Sequence, residues 1–329
     1  MQRTSLIMQI MENMEYCYVI GEIEKLLGLR FEKIQTTREG EFSLKIGKER
    51  ITIDLGKRMN ISYTIKEGEL GKGFIEKIRK ELRGTRFVSI YQHNMDRIIV
   101  LEFEGIKKYF LILEMFGKGN MILVCDEKIL ACYKNESWAD RKIRINERYI
   151  FPKSNIAENL NEIISEKYII SSMMRLPLGK KYSREILLRC KIDEKAPGNS
   201  LANGQMEKIE KEIEKIKSGL KPYGFYRNGK ICGFGLAKLG EFKDLEAKEF
   251  EAFSKVIDEY YINFVETETE SEATKKIKKR LVEQKKQLNE FLEDEKKYRE
   301  IGDKIYENYP KIEELIKKER GKPKIEIEL

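Results

Sequence analysis

Ile98-Ile-Val-Leu-Glu-Phe103, Tyr109-Phe-Leu-Ile-Leu-Glu-Met115 and Met121-Ile-Leu-Val-Cys125 are three apolar runs, each closed by turn residues. Glu104-Gly105 ends the first, Gly117-Lys-Gly-Asn120 the second and Asp126-Glu127 the third. Runs this short and this apolar read as strands buried on both faces, because a half-exposed strand would alternate with polar residues. Phe87–Tyr91 precedes them and Ile129–Tyr133 follows, so the stretch 86–133 predicts a meander of antiparallel strands.

Helical and further strand patterns flank that meander. Tyr16, Val19, Ile20, Ile23, Leu26 and Leu27 recur at helical spacing up to Gly28, which predicts a helix within 12–34 that turns into a strand. Phe42, Leu44 and Ile46 alternate, as do Ile51, Ile53 and Leu55, with Gly47-Lys48 between them, so a hairpin is expected. A basic helix over 72–83 follows, with Phe74, Ile75, Ile78 and Leu82 on one face. Beyond the meander, short helices are expected over 157–195, broken at Leu176-Pro-Leu-Gly179, then a loop over 196–204 and a helix over 206–217. Asn228-Gly229 marks a tight hairpin within 224–234, and a helix is expected over 247–262. The fold class is therefore α+β.

From Ala273 the pattern changes. Positions 277, 281, 284, 288, 291, 295, 298, 302, 305, 309, 312 and 316 alternate by four and three and are mostly apolar. Gln284, Glu295 and Gly302 interrupt this heptad seam, and Pro310 removes a helix hydrogen bond. Two antiparallel coiled-coil arms turning near Gly302–Pro310 are expected.

Composition excludes several function classes. The chain has 329 residues, 41% hydrophobic and 36% charged, and a net charge of +8, which permits a nucleic-acid partner without demanding one. No apolar run reaches the roughly 20 residues that span a bilayer, so no membrane is expected. The N-terminus lacks the pattern of a secretory signal, which predicts a cytoplasmic location. Five cysteines (Cys17, Cys125, Cys132, Cys190, Cys232) include no C-x-x-C pair, so neither a zinc ribbon nor a disulfide framework is expected. A single histidine, His93, leaves little material for triads or histidine-based metal sites. No cofactor, metal or catalytic residue is assigned.

Several stretches could carry binding. Asp96-Arg97 stands directly before a strand, where a guanidinium with a carboxylate beside it can read a phosphate, the carboxylate holding the fork. The competing reading is an ion pair at a strand start. Lys72, Lys77, Arg79, Lys80, Arg83 and Arg86 outnumber Glu76 and Glu81 and form a candidate phosphate-facing patch, or a solvated helix face. Lys118 lies in Gly117-Lys-Gly-Asn120, either a backbone phosphate cradle or a plain tight turn. Arg141, Arg144 and Arg148 are a candidate RNA-facing loop, with surface solubility as the alternative. Trp138 reads as a packed anchor, His93 as a structural histidine and the cysteines as small buried hydrophobes.

Taken together, the motifs resemble a family. Met11–Ile23 with Leu27-Gly-Leu-Arg30, Met95–Phe103, Glu114–Asn120 and Arg144–Pro152 resemble the NFACT-N domain. Leu178–Asp193 is similar to its helix-hairpin-helix insert, Phe250–Tyr261 to the segment that closes the domain, and Gly302–Ile316 to the middle coiled coil. The family is the NEMF/RqcH group, formerly labelled fibronectin-binding protein A. The resemblance implies NFACT-N over 1–153, a helix-hairpin-helix module over 154–200, the closing part of NFACT-N over 201–266 and a coiled coil over 267–329.

The same resemblance implies a noncatalytic ribosome quality control factor. Such a protein binds the large ribosomal subunit with a stalled peptidyl-tRNA and recruits tRNA for mRNA-independent extension of the nascent chain. The implied partners are tRNA and rRNA. The family's Asp-Arg pair maps onto Asp96-Arg97, and Glu15 stands where the family usually has an aspartate. The hairpin, usually Gly-x-Gly, reads Pro177-Leu-Gly179, so Gly179, Lys180 and Lys181 are the expected phosphate contacts. The family's C-terminal NFACT-R domain is missing, which implies a fragment or a separately encoded NFACT-R module. Two alternatives come from other classes. A formamidopyrimidine-type DNA glycosylase would need an N-terminal proline with a glutamate beside it, but Gln2 and Arg3 stand there, so no DNA partner is expected. A coiled-coil adaptor would bind protein alone.

Overall fold

The helical spacing of Tyr16, Val19, Ile20 and Ile23 forms α1 (Asn13–Ile23), with that stripe buried. The computed structural model describes residues 8–66, 68–71, 73–157, 159–160, 168–318 and 321. A 3-10 turn at Glu24–Leu26 leads into β1 (Phe31–Arg38). β2 (Glu41–Ile46), β3 (Glu49–Asp54) and β4 (Arg58–Ile61) follow, each antiparallel to the one before. The hairpin expected over 42–55 is the β2–β3 pair, and β4 extends it by a strand that the apolar pattern does not announce. α2 (Phe74–Leu82) then buries Ile75, Ile78 and Leu82.

The meander has five strands in chain order: β5 (Arg86–Gln92), β6 (Ile98–Glu104), β7 (Lys108–Glu114), β8 (Asn120–Cys125) and β9 (Lys128–Cys132). β8 is buried at every position. One face of this sheet, through Ile99, Leu101, Phe103, Leu111 and Leu123, joins α1, α2, β2 and β3 in the main core. The other face, through Ile98, Val100, Ile112, Ile122 and Val124, makes a second core with Ile143 and Tyr149. Those two belong to a strap that also holds the short β10 (Glu136–Ser137) and β11 (Lys142–Ile143). Two cores on two faces account for the nearly unbroken apolar runs.

Next come α3 (Ile169–Met173), α4 (Lys180–Cys190) and α5 (Asn203–Ser218). Part of the helix expected over 157–195, at 158 and 161–167, lies outside the described residues. β12 (Tyr223–Arg227) and β13 (Lys230–Gly235) form the expected hairpin. Asn228 and Gly229 both have positive φ, 51° and 74°, as a two-residue turn of this kind requires. The helix expected over 247–262 is corrected at its start. Glu246–Glu249 forms β14, which pairs with the free edge of β12, and the helix begins only at Phe253. The charges that suggested a helix suit an exposed edge strand equally well.

The chain divides into two compact units, Met1–Phe264 and Val265–Leu329. The second contains the rest of α6 (Phe253–Glu307) and α7 (Tyr309–Lys318). The expected reversal near Gly302–Pro310 does not occur. Gly302 lies inside α6, and only Asn308 separates the two helices. Asn308 N–H donates to Lys304 O and Ile312 N–H to Asn308 O, so the ladder resumes at once. A turn between antiparallel helices takes at least about 2 residues outside the ladder. Pro310 sits in the first turn of α7, where a missing N–H leaves no bond unmade. Along the seam Phe291 is 69% exposed and Tyr298 68%. Residues 322–329 lie outside the described residues.

Candidate nucleic-acid interface

The loop between β5 and β6 presents Asp96 and Arg97. A 3-10 turn covers His93–Met95, and within it Asn94 and Met95 have φ of 49° and 54°. Two successive non-glycine residues in the left-handed region need support from outside. The His93 ring stacks on Phe151 at 3.7 Å between centroids. Burial holds the His93 pKa below its usual range, against the pull of Asp96. Asn13 Nδ2 donates to Met95 O at 3.1 Å, and Gln92 Nε2 donates to Asn13 O at 3.2 Å.

Asp96 does not hold the Arg97 guanidinium. Its Oδ1 accepts from the Arg97 backbone N–H at 2.7 Å, which fixes the chain at the mouth of β6. The guanidinium is half-buried and makes no ion pair or hydrogen bond among the described residues. Tyr16, near enough to feel its charge, is fully buried, and its hydroxyl also has no partner among them. Burial pushes the Tyr16 phenol well up, while the nearby Arg97 charge pulls the other way. Beside the turn a groove of about 700 Å³ is lined by Met14, Cys17, Tyr18, Met95, Pro177 and Leu220.

Glu15 and the start of α4 form a buried joint. Glu15 is 0% exposed and cannot touch an RNA. Its carboxylate pairs with Lys181 Nζ and accepts from Tyr182 Oη at 2.6 Å and from the Glu12 N–H at 2.8 Å. Burial pushes the Glu15 carboxyl up, and Lys181, Tyr182 and Glu12 pull it back. The Lys181 side chain is only 7% exposed, so it too is withdrawn from any phosphate. Gly179, with φ of 88°, caps α4, and a Cβ there would meet Glu12 Oε2 at 2.4 Å. Glu12 Oε1 lies 3.4 Å from Lys181 N, so a carboxylate of the chain itself occupies the helix start where a phosphate was expected. Of the three expected contacts, only Lys180 is exposed.

Arg141 is likewise an anchor. Its Nη1 and Nη2 both bind the Glu114 carboxylate, at 2.5 and 3.0 Å, and all three partners here are buried, with Tyr149 Oη on the same Oε1 at 2.9 Å. The guanidinium lies 4.2 Å from the centroid of Trp138. These contacts fasten the strap to the outer face of the sheet. A lone carboxylate in the apolar run Tyr109–Met115 was the available signal, because a buried charge demands a partner.

The remaining cations are not gathered on one face. Lys118 is exposed in the β7–β8 turn, at the end of the sheet where β6 begins with Ile98. That turn is no amide cradle. Its carbonyls at Lys118 and Gly119 accept from Lys134 Nζ at 2.8 and 3.0 Å. Arg86 pairs in register with Glu104, at the opposite end, where Arg148 bridges Lys128 and contacts Glu127 at 3.1 Å. Seven strand residues separate these ends by about 20 Å. On α2 Lys77 pairs with Glu81 at 2.7 Å and Arg79 binds Gly71 O at 3.2 Å, while Lys80 and Arg83 are exposed. Arg144 is exposed on the strap, and Lys72 lies outside the described residues. Cys17 is exposed, and only Cys125 and Cys190 are fully buried.

One charged cluster escaped the sequence reading. Arg58 is fully buried, with Asn60 Oδ1 at 3.1 Å, Asp258 Oδ1 at 3.3 Å and Glu41 Oε2 at 3.4 Å, and it stacks on Tyr261. Burial would raise the Glu41 carboxyl, but Thr37, Lys66, Arg38 and Arg58 together hold it down at about 2. This network joins β2 and β4 to the start of α6. Among the described residues no cluster of three or more His, Cys, Asp or Glu side chains could hold a metal ion, and no helix is long and apolar enough to cross a membrane.

Comparison with known proteins decides the family. Residues 16–327 match the family described as NFACT N-terminal and middle domains. This chain belongs to that family. It is 29% identical to the archaeal Rqc2 homolog aRqcH of Methanocaldococcus jannaschii, over 92% of this chain and 51% of that one. It is 24% identical to the human ribosome quality control complex subunit NEMF, over 74% of this chain and 27% of that one. The chain thus spans about half the length, or less, of these relatives. The crystal structure titled as the fibrinogen binding protein from Staphylococcus aureus shares the fold, with a TM-score of 0.62 at 19% identity, over 76% of this chain and 98% of that one. The NFACT assignment and the mixed α+β fold expected from the motifs are both borne out.

Proposed function

We propose that this NFACT chain is a cytoplasmic ribosome quality control factor that binds RNA. In this reading it engages the large ribosomal subunit carrying a stalled peptidyl-tRNA and recruits tRNA for mRNA-independent C-terminal tailing. Its own part is recognition, and the ribosome makes the peptide bonds. The name of the human relative as a ribosome quality control complex subunit, and of the archaeal relative as an Rqc2 homolog, supports the role.

One observation carries the RNA contact. Arg97 is a half-buried guanidinium with no partner among the described residues, on a turn held in a strained form. Partly desolvated and uncommitted, it binds a phosphate more strongly than a fully solvated lysine does. Lys118, exposed at the same end of the sheet, adds electrostatic attraction. Arg141, Glu15 and Lys181 are assigned to structure, not to RNA.

The test is binding of labelled unfractionated tRNA to the purified chain, followed by fluorescence anisotropy at fixed salt. Arg97→Ala should weaken binding by about ten-fold or more, the value of one charge-assisted hydrogen bond of ~1.5–3 kcal/mol. Unchanged affinity in that variant would sink the assignment of Arg97.

A further inference from the structure

The Arg97 turn is held from outside by α1. Asn13 is the first residue of that helix and is buried. Its Nδ2 donates to Met95 O, and its carbonyl accepts from Gln92 Nε2. The two bonds straddle the turn, since Gln92 enters it and Met95 lies two residues before Arg97. Asn94, between them, and Met95, whose carbonyl the Asn13 side chain grips, both lie in the left-handed region. Such a pair relaxes toward ordinary backbone unless its surroundings hold it.

Asn13 is itself on a rigid base. Two residues later Glu15 is locked to Lys181 and Tyr182 of α4. The start of α1 is further tied by the Met11 N–H to Lys57 O at 2.8 Å. Beyond the turn, Asp96 Oδ1 fixes the Arg97 N–H, and Arg97 O accepts from the Met115 N–H at 2.8 Å. The backbone on both sides of the turn is therefore pinned, and the Asn13–Met95 bond is the side-chain clamp on its strained centre.

We propose that Asn13 is a positioning residue for Arg97. By gripping the Met95 carbonyl it keeps the turn left-handed and so keeps the guanidinium where it meets a phosphate. The proposal rests on the RNA reading of Arg97. Without the clamp the turn samples other forms, and apparent affinity falls in proportion to the competent fraction.

The experiment is a double-mutant cycle in the tRNA-binding assay, using the full chain. Asn13→Ala should weaken tRNA binding about five-fold, as for loss of one hydrogen bond. In the Arg97→Ala background the same substitution should cost nothing further. An equal loss on both backgrounds would show that Asn13 acts elsewhere and overturn the proposal, as would no loss in the single variant. Should Asn13→Ala fail to fold by thermal melting, Gln92→Ala cuts the other bond without touching a side chain of α1. It should show the same dependence on Arg97, and independence from Arg97 overturns the proposal. Wild-type affinity in Arg97→Ala alone would remove the RNA reading, and this proposal with it. Loss in Arg97→Ala with no effect of Asn13→Ala removes only the proposal.

Discussion

Two Asp-Arg dipeptides, Asp96-Arg97 and Asp140-Arg141, look alike in the sequence and do opposite things in the fold. Arg141 is buried and bound through two bonds to Glu114, while Arg97 is half-buried and has no partner among the described residues. Neither arginine pairs with the aspartate beside it. Asp96 caps its own turn, and Asp140 is exposed. The difference lies in what the tertiary fold brings up from a distance. A carboxylate 27 residues away in sequence meets Arg141, whereas the neighbourhood of Arg97 holds a phenol hydroxyl without a partner and no carboxylate bound to the guanidinium. An arginine whose hydrogen bonds are satisfied inside the fold holds structure together, and one left unsatisfied is available to a ligand.

The largest effect should come from breaking the first of the pair. Arg141→Ala leaves the Glu114 carboxylate buried without its cation, which costs about 3–5 kcal/mol. Denaturant unfolding of the variant measures it. A loss below about 1 kcal/mol, typical of a surface ion pair, would mean that Arg141 is as dispensable as its exposed neighbours and that the contrast with Arg97 fails.

What the sequence made legible divides along the same line. The β5–β9 meander was readable because its signal is local: apolar runs closed by turn residues. The β12–β13 hairpin was readable from Asn228-Gly229, whose left-handed angles only such residues adopt cheaply. β4 was not, because Arg58-Met-Asn-Ile61 places its charge inward against Glu41 and Asp258, and Asp258 is 200 residues away in sequence. The same limit hid the roles of Glu15 and Lys181, which are 166 residues apart. Their burial still left a trace. Glu15 lies four residues before Val19, on the apolar stripe of α1, where an unpaired carboxylate would be costly. At Asp96-Arg97 the carboxylate clamp expected on the guanidinium is replaced by a cap on the backbone, because the short aspartate side chain meets the next N–H first. The heptad seam was legible as one long helical pattern. Its reversal was inferred from Gly302 and Pro310, each of which a helix accommodates at the position it occupies here.

The next largest effect should come from the β7–β8 turn, at the end of the sheet where Arg97 leads into β6. The β7–β8 turn packs backbone against backbone on the β3–β4 turn, and a Cβ at Gly119 would lie 2.5 Å from Gly56 N and 2.7 Å from Leu55 C. Gly119 also has a φ of 63°. Gly119→Ala therefore meets both a steric clash and an unfavourable backbone, together about 2–4 kcal/mol. Thermal unfolding should show that loss. Gly117→Ala, in the same turn with φ of 58° but open space around its Cβ, should cost only the backbone share of about 1–2 kcal/mol. Equal losses in the two variants would mean that the close approach of the turns contributes nothing.

The smallest effect is expected at the residue assigned to function. Arg97→Ala removes a cation that has no partner among the described residues, so its stability should stay within about 0.5 kcal/mol of the parent. A slight gain is equally compatible, because a half-buried charge held without a counter-ion is a stability cost that binding sites carry. The measurement is denaturant unfolding under the conditions used for Arg141→Ala, so that the two arginines are compared directly. A loss of about 2 kcal/mol or more would make Arg97 a second internal anchor. In that event a drop in tRNA affinity in the same variant would reflect a loosened fold, and the difference between the two dipeptides would be one of degree.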